Sequence, residues 1–180
     1  MIDVQLINQV KAGDLAAFEK LVETTSQTGL NIAYGILHDR SDAEEVLQEA
    51  FLAVYQNIQK LKSPEAFRTW FGTIVTHLAF RRSKLNGRFK QVPLDENIET
   101  KSIPLEGPDE LILRKEEQEL VFEALKTLPD EYRAALTLRE WENYSYREIS
   151  EVLGIPLGTV KSRIYTARAM LFKQLKKGNA

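Results

Sequence analysis

Three groups of side chains in this sequence have the types and spacing to do chemistry, and all three would act through charge. Residues 81–90 read RRSKLNGRFK and gather Arg81, Arg82, Lys84, Arg88 and Lys90. Clustered cations neutralise phosphates, and flat side chains beside them can stack on single-stranded bases. Arg68, Arg81, Arg82 and Lys84 are the phosphate candidates here, and Phe80 is the candidate for an exposed ring. A second group, Thr159, Lys161, Ser162, Arg163, Thr166 and Arg168, lies in a stretch from 157 to 177 with six basic residues and no acidic one. Hydroxyls and cations in that mixture suit the edges and backbone of duplex DNA. The third group is Asp42, Glu45, Gln48 and Glu49. Carboxylates and an amide can take charge-assisted hydrogen bonds from cationic groups. The same four residues also fit an ordinary solvated helix face.

The elements that must position these groups read as helices throughout. Apolar residues at 15, 18, 21 and 22, and then at 30, 33, 34 and 37, follow helical spacing. Ser41 with Glu44 three residues on makes a capping-box pattern. The helix it opens carries the stripe Ala43, Val46, Leu47, Ala50, Phe51 and Val54. Ser63 and Pro64 start the next helix, whose stripe is Phe67, Trp70, Phe71, Ile74, Val75 and Leu78. Trp70 and Phe71 therefore read as core, Phe80 lies off the stripe, and His77 taken alone reads as a packed helix histidine. Residues 111–125 are helical, and Pro129 opens a helix through Glu140.

The C-terminal third carries a helix-turn-helix. Ser145 and Glu148 form a capping box, Ile149, Val152 and Leu153 give the short helix an inner face, and Gly154 stops it. Pro156 fits the first turn of the following helix, which runs from about 157 to 175 with Val160, Ile164, Ala167 and Leu171 on one face. Thr159, Lys161, Ser162, Arg163, Thr166 and Arg168 point away from that face. Two short helices around a glycine-containing turn place the N-terminal part of the second in the DNA major groove.

Composition narrows the rest. The chain has 180 residues, 43% of them hydrophobic, and a net charge of −2. It holds no cysteine, which removes disulfides, thiolate zinc sites and thiol catalysis. His38 and His77 are too far apart in sequence to build a multi-histidine metal site alone. There is no phosphate-binding loop and no metalloprotease motif, so neither a catalytic residue, a metal nor a cofactor is expected. No apolar run reaches membrane-spanning length, and a soluble cytoplasmic protein without membrane insertion is the expectation. The charge is uneven: residues 1–60 carry net −5, 61–92 net +6, 93–124 net −7 and 125–180 net +4. Residues 91–111 contain Pro93, Pro104, Gly107 and Pro108 and no sustained apolar period, as a linker does. The fold class is accordingly all-α, with two small helical domains, 1–91 and 112–180, joined by an acidic proline-containing linker at 92–111. At most about 66 Å of extended chain lets that linker hold two DNA readers roughly 19 base pairs apart. It would equally serve as a plain tether.

These segments resemble the bacterial extracytoplasmic-function sigma factors of the sigma-70 family. GTVKSRIYTAR at 158–168 is similar to the promoter-distal (−35) domain, DRSDAEEVLQEAFLAVY at 39–55 to the helix that docks on the largest-subunit clamp of core RNA polymerase, and FRTWFGTIVTHLAFRR at 67–82 to the promoter-melting helix. The resemblance covers essentially the whole chain in family order. It implies a sigma region 2-like domain at 1–91 and a region 4-like domain at 112–180. It implies that Asp42, Glu45, Gln48 and Glu49 bind polymerase. Arg68, His77, Phe80, Arg81, Arg82 and Lys84 would act at the −10 element and its melted strand. Thr159, Lys161, Ser162, Arg163, Thr166 and Arg168 would read the −35 duplex, with Arg163, Ser162 and Thr159 nearest base edges and Lys161 and Arg168 on phosphates. An anti-sigma factor is the implied regulator. The chain departs from the family where His77 and Arg81 replace a common Asn and Asp, and where Thr166 replaces an arginine. The alternative is a free-standing helix-turn-helix regulator, which would have no use for residues 39–90.

Overall fold

Three aspartates open the first three helices. Asp3 accepts from the Gln5 amide at 2.9 Å and starts α1, Val4–Lys11. Asp14 accepts from the Ala17 amide at 3.1 Å and starts α2, Leu15–Leu37. Asp39 accepts from the Asp42 amide at 3.0 Å and starts α3, Arg40–Asn57. A side-chain acceptor at this position satisfies one of the orphan donors of the first turn, a stabilisation of about 1 kcal/mol. The computed structural model describes residues 3–89, 121 and 123–178, so the linker at 92–111 and most of the helix expected over 111–125 lie outside the described residues.

One local expectation is corrected. Ser41 does not cap α3. His38 ends α2 in the left-handed conformation at φ 51, and the next residue, Asp39, is already extended and takes the cap two positions early. The two apolar stripes at 15–22 and 30–37 belong to one 23-residue helix. The polar run between them is helical as well, and Thr24, Thr25 and Ser26 satisfy their hydroxyls by donating back to the carbonyls of Lys20, Leu21 and Val22.

After short 3-10 turns at Ile58–Lys60 and Pro64–Ala66 comes α4, Phe67–Leu85. Its buried positions follow the row Phe67, Phe71, Val75, Ala79 and Ser83. The C-terminal half supplies α5, Asp130–Glu140, α6, Tyr146–Leu153, and α7, Leu157–Gly178. Among the described residues every regular element is a helix. The predicted capping box at Ser145 and Glu148 is present, and Gly154 closes α6 at φ 64.

The two halves share one core. α2 packs on α3, α4 and α5, α4 packs on α6, and α5 packs on α7. Buried residues from both halves form a single connected cluster. Small residues make the approach possible: a Cβ on Gly35 would lie 2.5 Å from Cγ2 of Thr137, and one on Gly72 would lie 2.9 Å from the Tyr144 hydroxyl. A piece of this size buries only about 60% of the surface its unfolded chain exposes, and the seam between the halves adds to that burial.

Polar groups fasten the seam at two ends. Arg133 donates through Nε at 3.0 Å and Nη2 at 2.5 Å to the Ile36 carbonyl, and through Nη1 at 2.7 Å to that of Leu128. Its ion pair with Asp130 at 3.1 Å is buried, with side chains 7% and 2% exposed, and the Ser83 hydroxyl donates to Asp130. At the other end the Tyr144 hydroxyl donates to the Arg68 carbonyl at 3.0 Å, and the Arg68 guanidinium lies 4.1 Å over the Tyr144 ring. Burial pushes the Tyr144 hydroxyl up to about 12.

Candidate nucleic-acid interface

The helix-turn-helix is built from α6, its glycine stop and α7. Past Gly154, the Ile155 amide bonds the Ser150 carbonyl at 3.2 Å, and the Ser150 hydroxyl donates to the Ile155 carbonyl at 2.6 Å. This locks the turn. Ile149 and Val152 meet Val160, Ile164 and Ala167 in the core, which sets the angle at which α7 stands out. Along α7, Lys161, Tyr165 and Arg168 are exposed at helical spacing, while Thr159, Ser162 and Thr166 are half-buried beside them. Ser162 donates to the Thr159 carbonyl at 3.0 Å, and Arg168 donates from Nε to Glu140 at 3.1 Å.

Arg163 does not point away from the apolar face. Its side chain is 9% exposed and pairs with Glu131 of α5 at 2.9 Å. The reason is its register: 163 lies three residues after Val160 and four before Ala167, so it belongs to the packed stripe. Tyr165 is the residue that spacing would have found in its place, four positions after Lys161 on the open side.

On α4 the candidate strand-binding residues divide by partner. Arg68 faces the other half, donating to the Glu142 carbonyl and to Glu148 at 3.2 Å. Burial acts to raise the Glu148 carboxyl, but bonds from Ser145 and Arg68 outweigh it and hold the group below its usual range. His77 is exposed, not packed as its type alone suggests, because the buried row of α4 runs through 75, 76 and 79. Phe80 is half-buried and meets the edge of Phe89 at 5.7 Å, and the Lys84 ammonium lies 4.7 Å from the same ring. Phe71 is core, stacked between Phe51 and Phe67, and Trp70 is partly buried against Phe67.

The remaining arginines meet the third candidate group. Arg81 pairs with Glu49, with side chains 59% and 40% exposed. Arg82 pairs with Glu45 at 2.6 Å and with Asp42 at 3.6 Å. Asp42, only 16% exposed, also accepts from Asn86 at 2.8 Å and Arg88 at 3.5 Å. It thus ties the end of α4 to the start of α3. Gln48 is exposed, and Leu52 and Tyr55 continue the same open side of α3 with apolar surface. Spacing could have found both, since 48, 52 and 55 recur at four and three. Among the described residues there is no group of three or more acidic, histidine or cysteine side chains able to hold a metal. No described helix is long and apolar enough to cross a membrane.

Comparison with known proteins gives the following. The family model described as Sigma-70 region 2 matches residues 21–89, and that described as Sigma-70, region 4 matches residues 118–171. The RNA polymerase sigma-H factor of Pseudomonas aeruginosa is 33% identical, over 96% of this chain and 93% of that protein. The ECF RNA polymerase sigma-E factor of Haemophilus influenzae is 32% identical, over 95% and 94%. The fold is similar to that of the sigma factor RpoE solved with the anti-sigma factor NepR from Bartonella quintana. The TM-score there is 0.66 at 19% identity, over 88% of this chain and 96% of that one.

Proposed function

The chain belongs to the sigma-70 family as an extracytoplasmic-function sigma factor that directs RNA polymerase to promoters, and we propose the following division of labour among its residues. Residues 1–91 dock on the polymerase and act at the −10 element, residues 92–111 tether, and residues 112–180 read the −35 element. On α3, Glu45, Gln48 and Glu49 meet the polymerase clamp, and Leu52 and Tyr55 extend that surface. Asp42 positions α3 against α4. On α4, His77, Phe80, Arg81, Arg82 and Lys84 serve the melted strand, while Arg68 holds the seam until the halves part. On α7, Lys161, Tyr165 and Arg168 lead the duplex contact, with Thr159, Ser162 and Thr166 flanking them, and Arg163 shapes the helix from inside. The chain supplies no catalytic group, since the polymerase makes the bonds, and it works in the cytoplasm where polymerase and promoters are. A second protein, an anti-sigma factor, regulates it by holding it from polymerase.

The observation that carries this reading is the setting of α7. It packs on α5 and α6, and its outer side stays at the surface while the two halves are joined, with Lys161 and Tyr165 exposed and Arg168 held by Glu140 in a half-exposed pair. A free-standing regulator would need only that element, whereas the region 2 match covers residues 21–89.

Run-off transcription with core polymerase tests the assignment. Replacing Lys161 and Arg168 by alanine is expected to abolish initiation at promoters that depend on the upstream element. It should also lower the salt slope of duplex binding by about 0.9 for each phosphate that no longer has a cation on it. Core-dependent initiation at wild-type level in that variant would remove α7 from the reading.

A further inference from the structure

The seam also encloses space. Where the corner between α2 and α3, the end of α4 and the start of α5 meet, they leave a cavity of about 530 Å³. That lies within the roughly 300–1,000 Å³ of small-molecule sites. Its walls come from both halves of the chain. Arg88 reaches it from just beyond α4, and Lys126 and Arg133 reach it from the other half. Among the described residues three cations thus face one cavity, against two carboxylates, Asp39 and Asp130. Asp130 is taken up by Arg133 and by the Ser83 hydroxyl. Asp39 caps α3 and meets Arg88 only at 3.8 Å. Lys126 pairs at 2.6 Å with Glu123, one turn back on its own segment and not part of the wall.

We propose that this cavity binds a small polyphosphate anion, inorganic or carried on a nucleoside, which bridges Arg88 and Lys126 across the seam. Both side chains are half-exposed, so either can turn to a phosphate without leaving a buried charge behind. Arg133 is buried and its donors are committed to the carbonyls of Ile36 and Leu128, so it contributes charge more than bonds. Leu37, Leu128 and Phe89 give the rest of the wall an apolar stretch against which a base can lie. Because the two bridging cations belong to different halves, the anion binds the joined form and not the parted one, and it holds the halves together by mass action. Under the division of labour proposed above, this keeps the two promoter readers from separating. That consequence rests on that reading, whereas the site does not.

His38, also in the wall, reports on the same field. Burial first, then Arg133 and Lys126, lower its pKa to about 3, and an anion beside those cations opposes their effect.

The test uses the full chain with tripolyphosphate, ATP and chloride at matched ionic strength, without divalent metal. Titration calorimetry should show one site per chain for both polyphosphates and none for chloride. Arg88→Ala with Lys126→Ala should weaken binding about tenfold for each cation lost. Lys60→Ala with Lys62→Ala removes the same charge from an exposed segment outside the cavity and should leave affinity unchanged. Binding that survives the first pair of substitutions, or falls equally with the second, would overturn the site. Tighter binding of ATP than of tripolyphosphate assigns the nucleoside source and places its base on the apolar wall. Equal binding assigns the inorganic one. Ring resonances of the two histidines locate the anion independently. Ligand should raise the His38 titration midpoint by about one pH unit and leave that of His77, exposed on α4, where it is. A response at His77 alone would move the anion to the strand-facing side of α4 and overturn the cavity. The site and the promoter reading fail separately: if the Lys161 and Arg168 variant transcribes at wild-type level while the cavity binds as expected, the reading falls and the site stands.

Discussion

The molecule contains the same chemical unit, an arginine bonded to a carboxylate, in two settings. At the seam, Arg133 and Asp130 are nearly sealed from water, and the guanidinium also fills the carbonyls of Ile36 and Leu128. On the α3–α4 ridge, Arg81 and Glu49 stand in solvent. Burial removes water as a competitor at the seam, so losing one partner strands the other. On the ridge water replaces either partner at little cost. The difference separates the two: the seam unit joins two halves, and the ridge unit contributes little to stability.

The contrast can be broken by measurement. Arg133→Ala leaves Asp130 buried without its counter-ion and two carbonyls unbonded, and should lower stability by about 3–5 kcal/mol in chemical denaturation. A loss no larger than that of an exposed pair would place the seam with the ridge. Gly35→Ala drives a methyl into Thr137 and to within 2.9 Å of the Trp141 ring. The overpacking penalty of about 1–3 kcal/mol exceeds the roughly 1 kcal/mol gained in helix propensity. The halves should separate, seen as a larger radius of gyration in solution scattering.

His38 sharpens the comparison through pH. Burial, then the charges of Arg133 and Lys126, lower its pKa from 6.5 to about 3. Between those values the unfolded chain binds more protons, so this group's contribution is whole above pH 6.5 and is lost as pH falls toward 3. His38→Asn, which tolerates the left-handed backbone, should flatten the pH dependence of stability in that window, by at most about 1.4 kcal/mol per pH unit. An identical slope in wild type and variant would remove His38 from the seam's energetics. The smallest effect belongs to the ridge: a double-mutant cycle on Arg81 and Glu49 should give about 0.2–1 kcal/mol, shrinking with salt. A coupling as large as that of the seam would undo the distinction.

What is readable in the sequence is periodic or adjacent. The helix-turn-helix follows from the Ser145–Glu148 box, the Gly154 stop and the apolar spacing of α6 and α7, all features confined to a turn or two. Ser41 fails as a cap because its position depends on where α2 ends, and His38, an unusual left-handed terminator, decides that. Arg163 is misplaced when residue type is weighed above its spacing from Val160 and Ala167. The exposed run Gln48, Leu52 and Tyr55 is recoverable from the same kind of spacing.

By itself the sequence determined the helical class, the helix-turn-helix and the family, because hydrophobic period, caps and motif order are local. The joining of both halves into one core was decided only by the tertiary structure. So were the seam bonds from Arg133 to Ile36, 97 residues apart, and the pairing of Arg81 with Glu49, 32 residues apart. Such contacts depend on how helices cross and on which small residues let them approach. That geometry is set by packing across the whole molecule and has no signature at the spacing of a single helix.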